Sequence, residues 1–172
     1  MKYDQQHIVT VADGNTPGLM QAIRDAGHDV ENHNGALYAT DGAIVQAIID
    51  AFDARPSALS VKLAELADFR WKKETGGMTA NGVVIETTDR SKTLVTGAVL
   101  LAQSNPAATF KFKTTKDQHV DVDAAGMVAI YAALGAHVQE CFAKEEAIAA
   151  KINALATWQE IVAFDIDAEW NT

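Results

Sequence analysis

The sequence predicts an α+β fold: a helix-dominated C-terminal domain with a long helix and a small β-hairpin, preceded by a small β-α-β-α lobe. Three observations predict it. Within 121–155, Met127, Tyr131, Leu134, Val138, Cys141, Ile148, Ile152 and Leu155 follow one another at helical steps, with a gap where Glu145 falls. That is the pattern of a long helix with an apolar seam. Thr109–Lys113 and 118–120 alternate across Thr115-Lys116-Asp117, so a two-stranded hairpin is the economical reading. Ahead of residue 56, short β-rich stretches take turns with capped apolar stretches at helical spacing.

In chain order, His7-Ile8-Val9-Thr10-Val11 alternates as a strand and Asp13-Gly14-Asn15 turns the chain. Pro17 then opens a helix that carries Leu19, Met20, Ile23 and Ala26 inward before Gly27 ends it. Residues 30–34 are polar and expected as loop. Ala36-Leu37-Tyr38-Ala39 is a short strand, and Thr40 or Asp41 caps a helix bearing Ile44, Val45, Ile48, Ile49 and Phe52. Pro56 holds Arg55 away from helical geometry while Ser57 can cap a helix beginning at Ala58. The boundary is therefore placed there, with 1–55 a small α/β docking lobe and 56–172 a helical domain with short strands.

Leu59, Leu63, Leu66 and Phe69 keep helical spacing up to Trp71-Lys72-Lys73-Glu74, with cations near the negative helix end and Gly76-Gly77 closing it. After Asn81-Gly82 comes the strand Val83-Val84-Ile85-Glu86. Thr88-Asp89 caps a helix with Leu94, Val95, Ala98, Leu101 and Ala102 on its inner face, and Asn105-Pro106 stops it. Asp121 and Asp123 lie just before the long helix, where carboxylates accept from free backbone N–H groups. Glu140, Lys144, Glu145, Glu146 and Lys151 keep one face of that helix wet. Thr157-Trp158-Gln159-Glu160-Ile161 forms a further helical turn, and 164–170 is an acidic aromatic tail read as a terminal strand.

The 172 residues can bury one ordinary core, or a small lobe beside a main one. With 48% hydrophobic and 22% charged residues the chain is expected to fold as a soluble globular protein. Its formal net charge of -9 repels phosphate backbones, so nucleic acid is not an expected partner. The single cysteine, Cys141, sits on the apolar seam as a small buried hydrophobe and has no internal disulfide partner. The N-terminus lacks the apolar core of a signal peptide, and no run approaches the roughly 20 apolar residues of a membrane span. A membrane is not an expected partner either.

From Leu59 to the C-terminus a family resemblance emerges. The residues that carry it are Gly76-Gly77 with Gly82 before a strand, Thr88-Asp89 opening a helix, Phe110 and Phe112 in a β segment, the Asp121-Val122-Asp123 entry, His137-Val138-Gln139, and Lys151-Ile152 leading to Ala156-Thr157. This part resembles a domain of unknown function that recurs in bacteriophage and prophage tail proteins, often behind a short variable N-terminal piece. Residues 45–52 resemble the segment that commonly precedes it. Typical members place a tryptophan in the β segment where this chain has Phe112. The resemblance implies a virion or tail-assembly context; in that context the chain is expected to be a non-enzymatic structural or adaptor component of a phage tail with tail or fibre proteins as partners, and its apolar helical surface makes a homo-oligomer the expected state. It implies synthesis in the host bacterial cytoplasm and residence in the virion, and carries over no catalytic residue. The alternatives are a tail-fibre assembly chaperone absent from the mature virion, and a small metal-dependent enzyme.

The interface candidates are Met127, Tyr131, Leu134, Val138, Ile148, Ile152 and Leu155 on the seam, with Trp158 and Trp170 near the chain end. Either the 58–74 helix or another subunit covers the seam, and both can hold. Ala125, Ala129, Ala132, Ala136 and Ala143 would permit close approach of a neighbour. Catalytic, cofactor and metal residues are not assigned. His28, Asp29, Glu31 and His33 are the densest set of potential metal ligands, with a spacing that fits no strong signature, and are read as solvated loop. His137 and Cys141 are read as packing rather than a nucleophile pair. Residues 13–18 lack the Gly-Lys-Ser/Thr ending of a phosphate cradle, and Asp165, Asp167 and Glu169 are read as facing water.

Overall fold

The computed structural model describes residues 8–10, 16–39, 41–80, 82–114 and 119–172, with backbone alone for 8–10. The fold is α+β with a helix-dominated C-terminal part. It divides into two compact units, Met1–Ala64 with Ile152–Phe164 and Glu65–Lys151 with Asp165–Thr172. The features expected at His7, Val11, Asp13-Gly14-Asn15, Thr40, Asn81 and Thr115-Lys116-Asp117 lie outside the described residues.

The first unit contains β1 (Ile8–Thr10), α1 (Leu19–Asp25), β2 (Val30–His33), β3 (Ala36–Ala39) and α2 (Gly42–Ala51). β3 is the central strand of an antiparallel sheet, order β1-β3-β2. Residues 30–33, expected as loop, are therefore a strand. The deciding device is the two-residue turn Asn34-Gly35, where both residues have positive φ (53° and 87°), as a tight hairpin requires. The Asn32 side chain accepts from Gly35 N at 2.9 Å. Leu19, Ile23, Val30, Leu37, Ala39 and Val45 form the core, with Met20, Ile48, Ile49 and Phe52 packed on it. Ala26, expected inside, is exposed, and so is Ile44. α1 ends at Asp25, so Ala26 is past the helix, and Ile44 lies outside the arc shared by Val45, Ile48, Ile49 and Phe52.

α3 runs Arg55–Thr75, so it starts before Pro56 rather than after it. Proline's missing N–H is no loss in a first helical turn, and Asp53 Oδ1 accepts from Arg55 N at 2.9 Å. α6 (Trp158–Ala163) opens with a capping box. Thr157 accepts from Glu160 N, and the Glu160 carboxylate accepts from Thr157 N at 2.9 Å.

The second unit holds β4 (Met78–Ala80) paired with β5 (Val83–Ile85), α4 (Asp89–Ser104), β6 (Thr109–Lys113) paired with β7 (His119–Asp123), most of α5 (Ala124–Ala154) and α7 (Ile166–Trp170). β4 has no counterpart in the sequence-based expectation; it is the other arm of a hairpin with β5, in which Gly82 takes φ 76°. Thr88 caps α4, as the sequence indicates, but Val95, Val99 and Ala102 are its buried residues, while Leu94 and Leu101 face solvent. On α5 the buried line is Met127, Ile130, Leu134, Cys141, Ile148 and Ile152, so Ile130 takes the place expected for Tyr131, which is exposed. Asp123 Oδ1 accepts from Gly126 N at 2.7 Å at the helix entry, whereas Asp121 pairs with Lys111 at 2.6 Å across the hairpin. The acidic tail is helix, not strand: Asp165 caps α7 by accepting from Ala168 N at 3.0 Å, and Ile166 and Trp170, one helical turn apart, are both buried.

Candidate docking groove

In the second unit a groove of about 620 Å³ lies between α4 and β6. Its more buried lining is mainly apolar, from Val95, Ala98, Phe110, Phe112 and Met127 with Thr114; exposed Leu94 and the polar residues Glu86, Arg90, Ser91, Lys111 and Lys113 line it nearer solvent. Local rules place each wall. The Thr88 cap fixes where α4 starts, so Arg90, Leu94 and Ala98 recur at steps of four on one face. The alternation of β6 turns Phe110 and Phe112 to one side and the lysines to the other, and the phenylalanines pack on the core. Leu94 is 62% exposed and Leu101, two turns along the same line, 55%. Leu100 is exposed too, but projects about 100° round the helix from Leu101.

A second cluster is polar. Glu74 is buried and its carboxylate is held by Arg70 and Lys92, one on each oxygen. Arg70 Nε lies 3.2 Å from Glu145 Oε2 as an ion pair without an aligned hydrogen bond, and the guanidinium sits 4.8 Å from the Phe142 ring centre. Lys92 also stands 5.6 Å from the centre of the Trp71 ring. Burial pushes the Glu74 carboxyl upward, but the hydrogen bond and charge of Lys92, joined by Arg70, prevail and hold it below the usual carboxylate range. These contacts tie the later turns of α3 to α4 and α5. They satisfy a buried charge.

A smaller hollow of about 250 Å³ is lined by residues that include His137, Cys141, Lys144 and Trp170. The Cys141 thiol is pushed up, first by burial and then by the charges of Glu74 and Glu140, against the smaller pull of Arg70 and Lys144. His137 Nε2 donates to the Glu74 carbonyl at 3.3 Å, so that ring nitrogen is taken up by backbone. A high thiol pKa is the opposite of what an activated nucleophile needs.

The interface candidates separate by burial. Met127, Leu134, Ile148, Ile152 and Trp170 are covered within the chain; Val138, Leu155 and Trp158 are half-buried; Tyr131 is exposed. Trp170 packs edge-on against Phe69 at 5.4 Å, and Lys144 Nζ donates to its carbonyl at 2.8 Å. The alanines 125, 129, 132, 136 and 143 are all exposed. His28 pairs with Asp41 at 2.9 Å and His33 with Glu31 at 3.1 Å, so the two histidines turn to different carboxylates. Among the described residues no three His, Cys, Asp or Glu side chains converge as a metal set, and no helix is long and apolar enough to cross a membrane. The groove itself is hidden from sequence reasoning, because periodicity assigns Leu94 and Leu101 to the inner face of α4. The alternating Phe110 and Phe112 beside Lys111 and Lys113 are the available signal.

A family model described as Domain of unknown function (DUF4376) matches residues 57–168. No curated protein and no solved structure matches the chain.

Proposed function

The chain belongs to this DUF4376 family, and from that premise we propose that it is a non-enzymatic structural or adaptor component of a bacteriophage tail, working through protein–protein contacts. The observation that carries the docking part is the groove between α4 and β6, whose apolar floor and charged edges have the anatomy of an interface core and rim. Exposed Leu94 and Leu101 extend apolar surface along α4 where a partner can cover it. The phage context rests on the resemblance carried by the caps, glycines and β-segment aromatics between Gly76 and Thr157.

Mass spectrometry of purified particles tests the reading. The protein is expected at fixed stoichiometry with tail components. Presence during assembly but absence from finished particles would replace it with an assembly-chaperone role, and absence from both would remove the tail setting.

A further inference from the structure

We propose that the groove accepts one extended, acidic and apolar segment of another protein as an added strand on β6; this deepens the docking reading and rests on it. The lining takes five consecutive residues, Phe110, Lys111, Phe112, Lys113 and Thr114, and none from β7. A space over the face of the hairpin would be lined by alternate residues of both strands. The groove therefore follows the edge of β6 that β7 does not use. In an antiparallel pair, alternate residues direct N–H and C=O away from the partner, and among the described residues no strand besides β7 pairs with β6. The opposite wall, Arg90 to Ala98, covers about 12 Å of helix, and 110–113 of β6 covers about 10 Å of strand. A segment of about four extended residues spans that length.

Charge and pattern select the occupant. The chain is acidic at -9, yet the residues edging this groove include Arg90, Lys111 and Lys113 beside Glu86, with Lys111 already paired to Asp121 of β7. A second copy of β6 paired edge to edge would crowd lysines together, and lysine on an edge strand is a common barrier to such self-pairing. β7 displays what β6 accepts: Val122 and Val120 face Phe110 and Phe112, and Asp121 faces and pairs with Lys111. A partner strand with that alternation sets apolar side chains beside Phe110, Phe112 and Leu94, and carboxylates on the side of the lysines. Backbone bonds supply the affinity and the alternation supplies the choice.

The test uses the full chain and three acetylated, amidated heptapeptides: alternating valine and aspartate, the same with lysine for aspartate, and the acidic one N-methylated at alternate residues. Binding is read by titration calorimetry and by amide shifts in the NMR spectrum. The acidic peptide is expected to bind about tenfold or more tighter than the lysine peptide, to shift amides across 110–114, and to lose binding on N-methylation. Leu94→Asp is expected to weaken it about tenfold, whereas Leu100→Asp, the same charge change off the groove, leaves it unaltered. Thermal melts of both variants verify the fold, which exposed positions tolerate. Equal binding of acidic and lysine peptides, indifference to N-methylation, or no binding at all overturns the added strand. A chain found in particles while every peptide fails sinks this proposal and leaves the tail reading standing.

Discussion

Arg55 and Leu155 lie 100 residues apart in the chain and meet in the fold: the Leu155 carbonyl oxygen accepts from Arg55 Nε at 3.1 Å and from Nη2 at 3.0 Å. Nη2 also donates to the Asn153 carbonyl at 2.8 Å. These carbonyls belong to the C-terminal end of α5, where intrahelical donors have run out and the helix dipole is negative. One guanidinium therefore closes the helix end with several bonds.

Arg55→Ala is expected to destabilise the chain by about 2 kcal/mol, because charge-assisted bonds are lost and carbonyls are left to water. Arg55→Lys should recover part of this, since an ammonium lacks the fork that reaches both carbonyls. Urea unfolding of the three proteins measures both effects.

Glu74 is expected to dominate the acid sensitivity of the second unit. Its folded-state pKa is depressed, so the stability it contributes is complete above the ordinary glutamate value of about 4.3 and is lost as pH falls through the lower folded value. Glu74→Gln should flatten that part of the stability profile. It should also cost about 3 kcal/mol near neutrality, because Arg70 and Lys92 lose their shared counter-charge in a half-buried place. Unfolding midpoints between pH 3 and 7 check it, and a variant with the parent's pH slope contradicts it.

The Asn34-Gly35 turn makes β2 possible. Gly35→Ala places a Cβ at φ 87° and is expected to cost about 1–2 kcal/mol, with faster amide exchange along Val30–His33 and Ala36–Ala39. Exchange unchanged in β2 would mean that the strand does not depend on this turn.

Cys141 is expected to resist a thiol reagent at pH 7.5. Burial and the neighbouring carboxylates disfavour the thiolate, so labelling should be about a hundredfold slower in the native chain than in denaturant. Colour release with an aromatic disulfide follows both rates.

Replacing Leu94 and Leu101 together by aspartate should leave the melting curve close to the parent, as both side chains face solvent. The same replacement should abolish incorporation into particles if the groove line is the docking surface. Normal incorporation would move the interface elsewhere on the chain.

By itself, the sequence determined what depends on near neighbours. The Thr88 and Thr157 caps, the β6–β7 alternation and the long helix after Asp123 all follow from groups a few residues apart. The Asn34-Gly35 turn is equally legible but is outweighed by the polarity of the residues around it. Tertiary structure decided which side of each amphipathic element is covered. A helical period fixes that apolar residues share a face, but several neighbouring arcs fit the same period, and the packing partner selects one. That selection put Ile130 inside and Tyr131 outside, exposed Leu94 and Leu101, and opened the groove. It also brought Glu74 to Lys92 and Arg55 to Leu155, because long-range polar contacts leave no periodic trace in a chain.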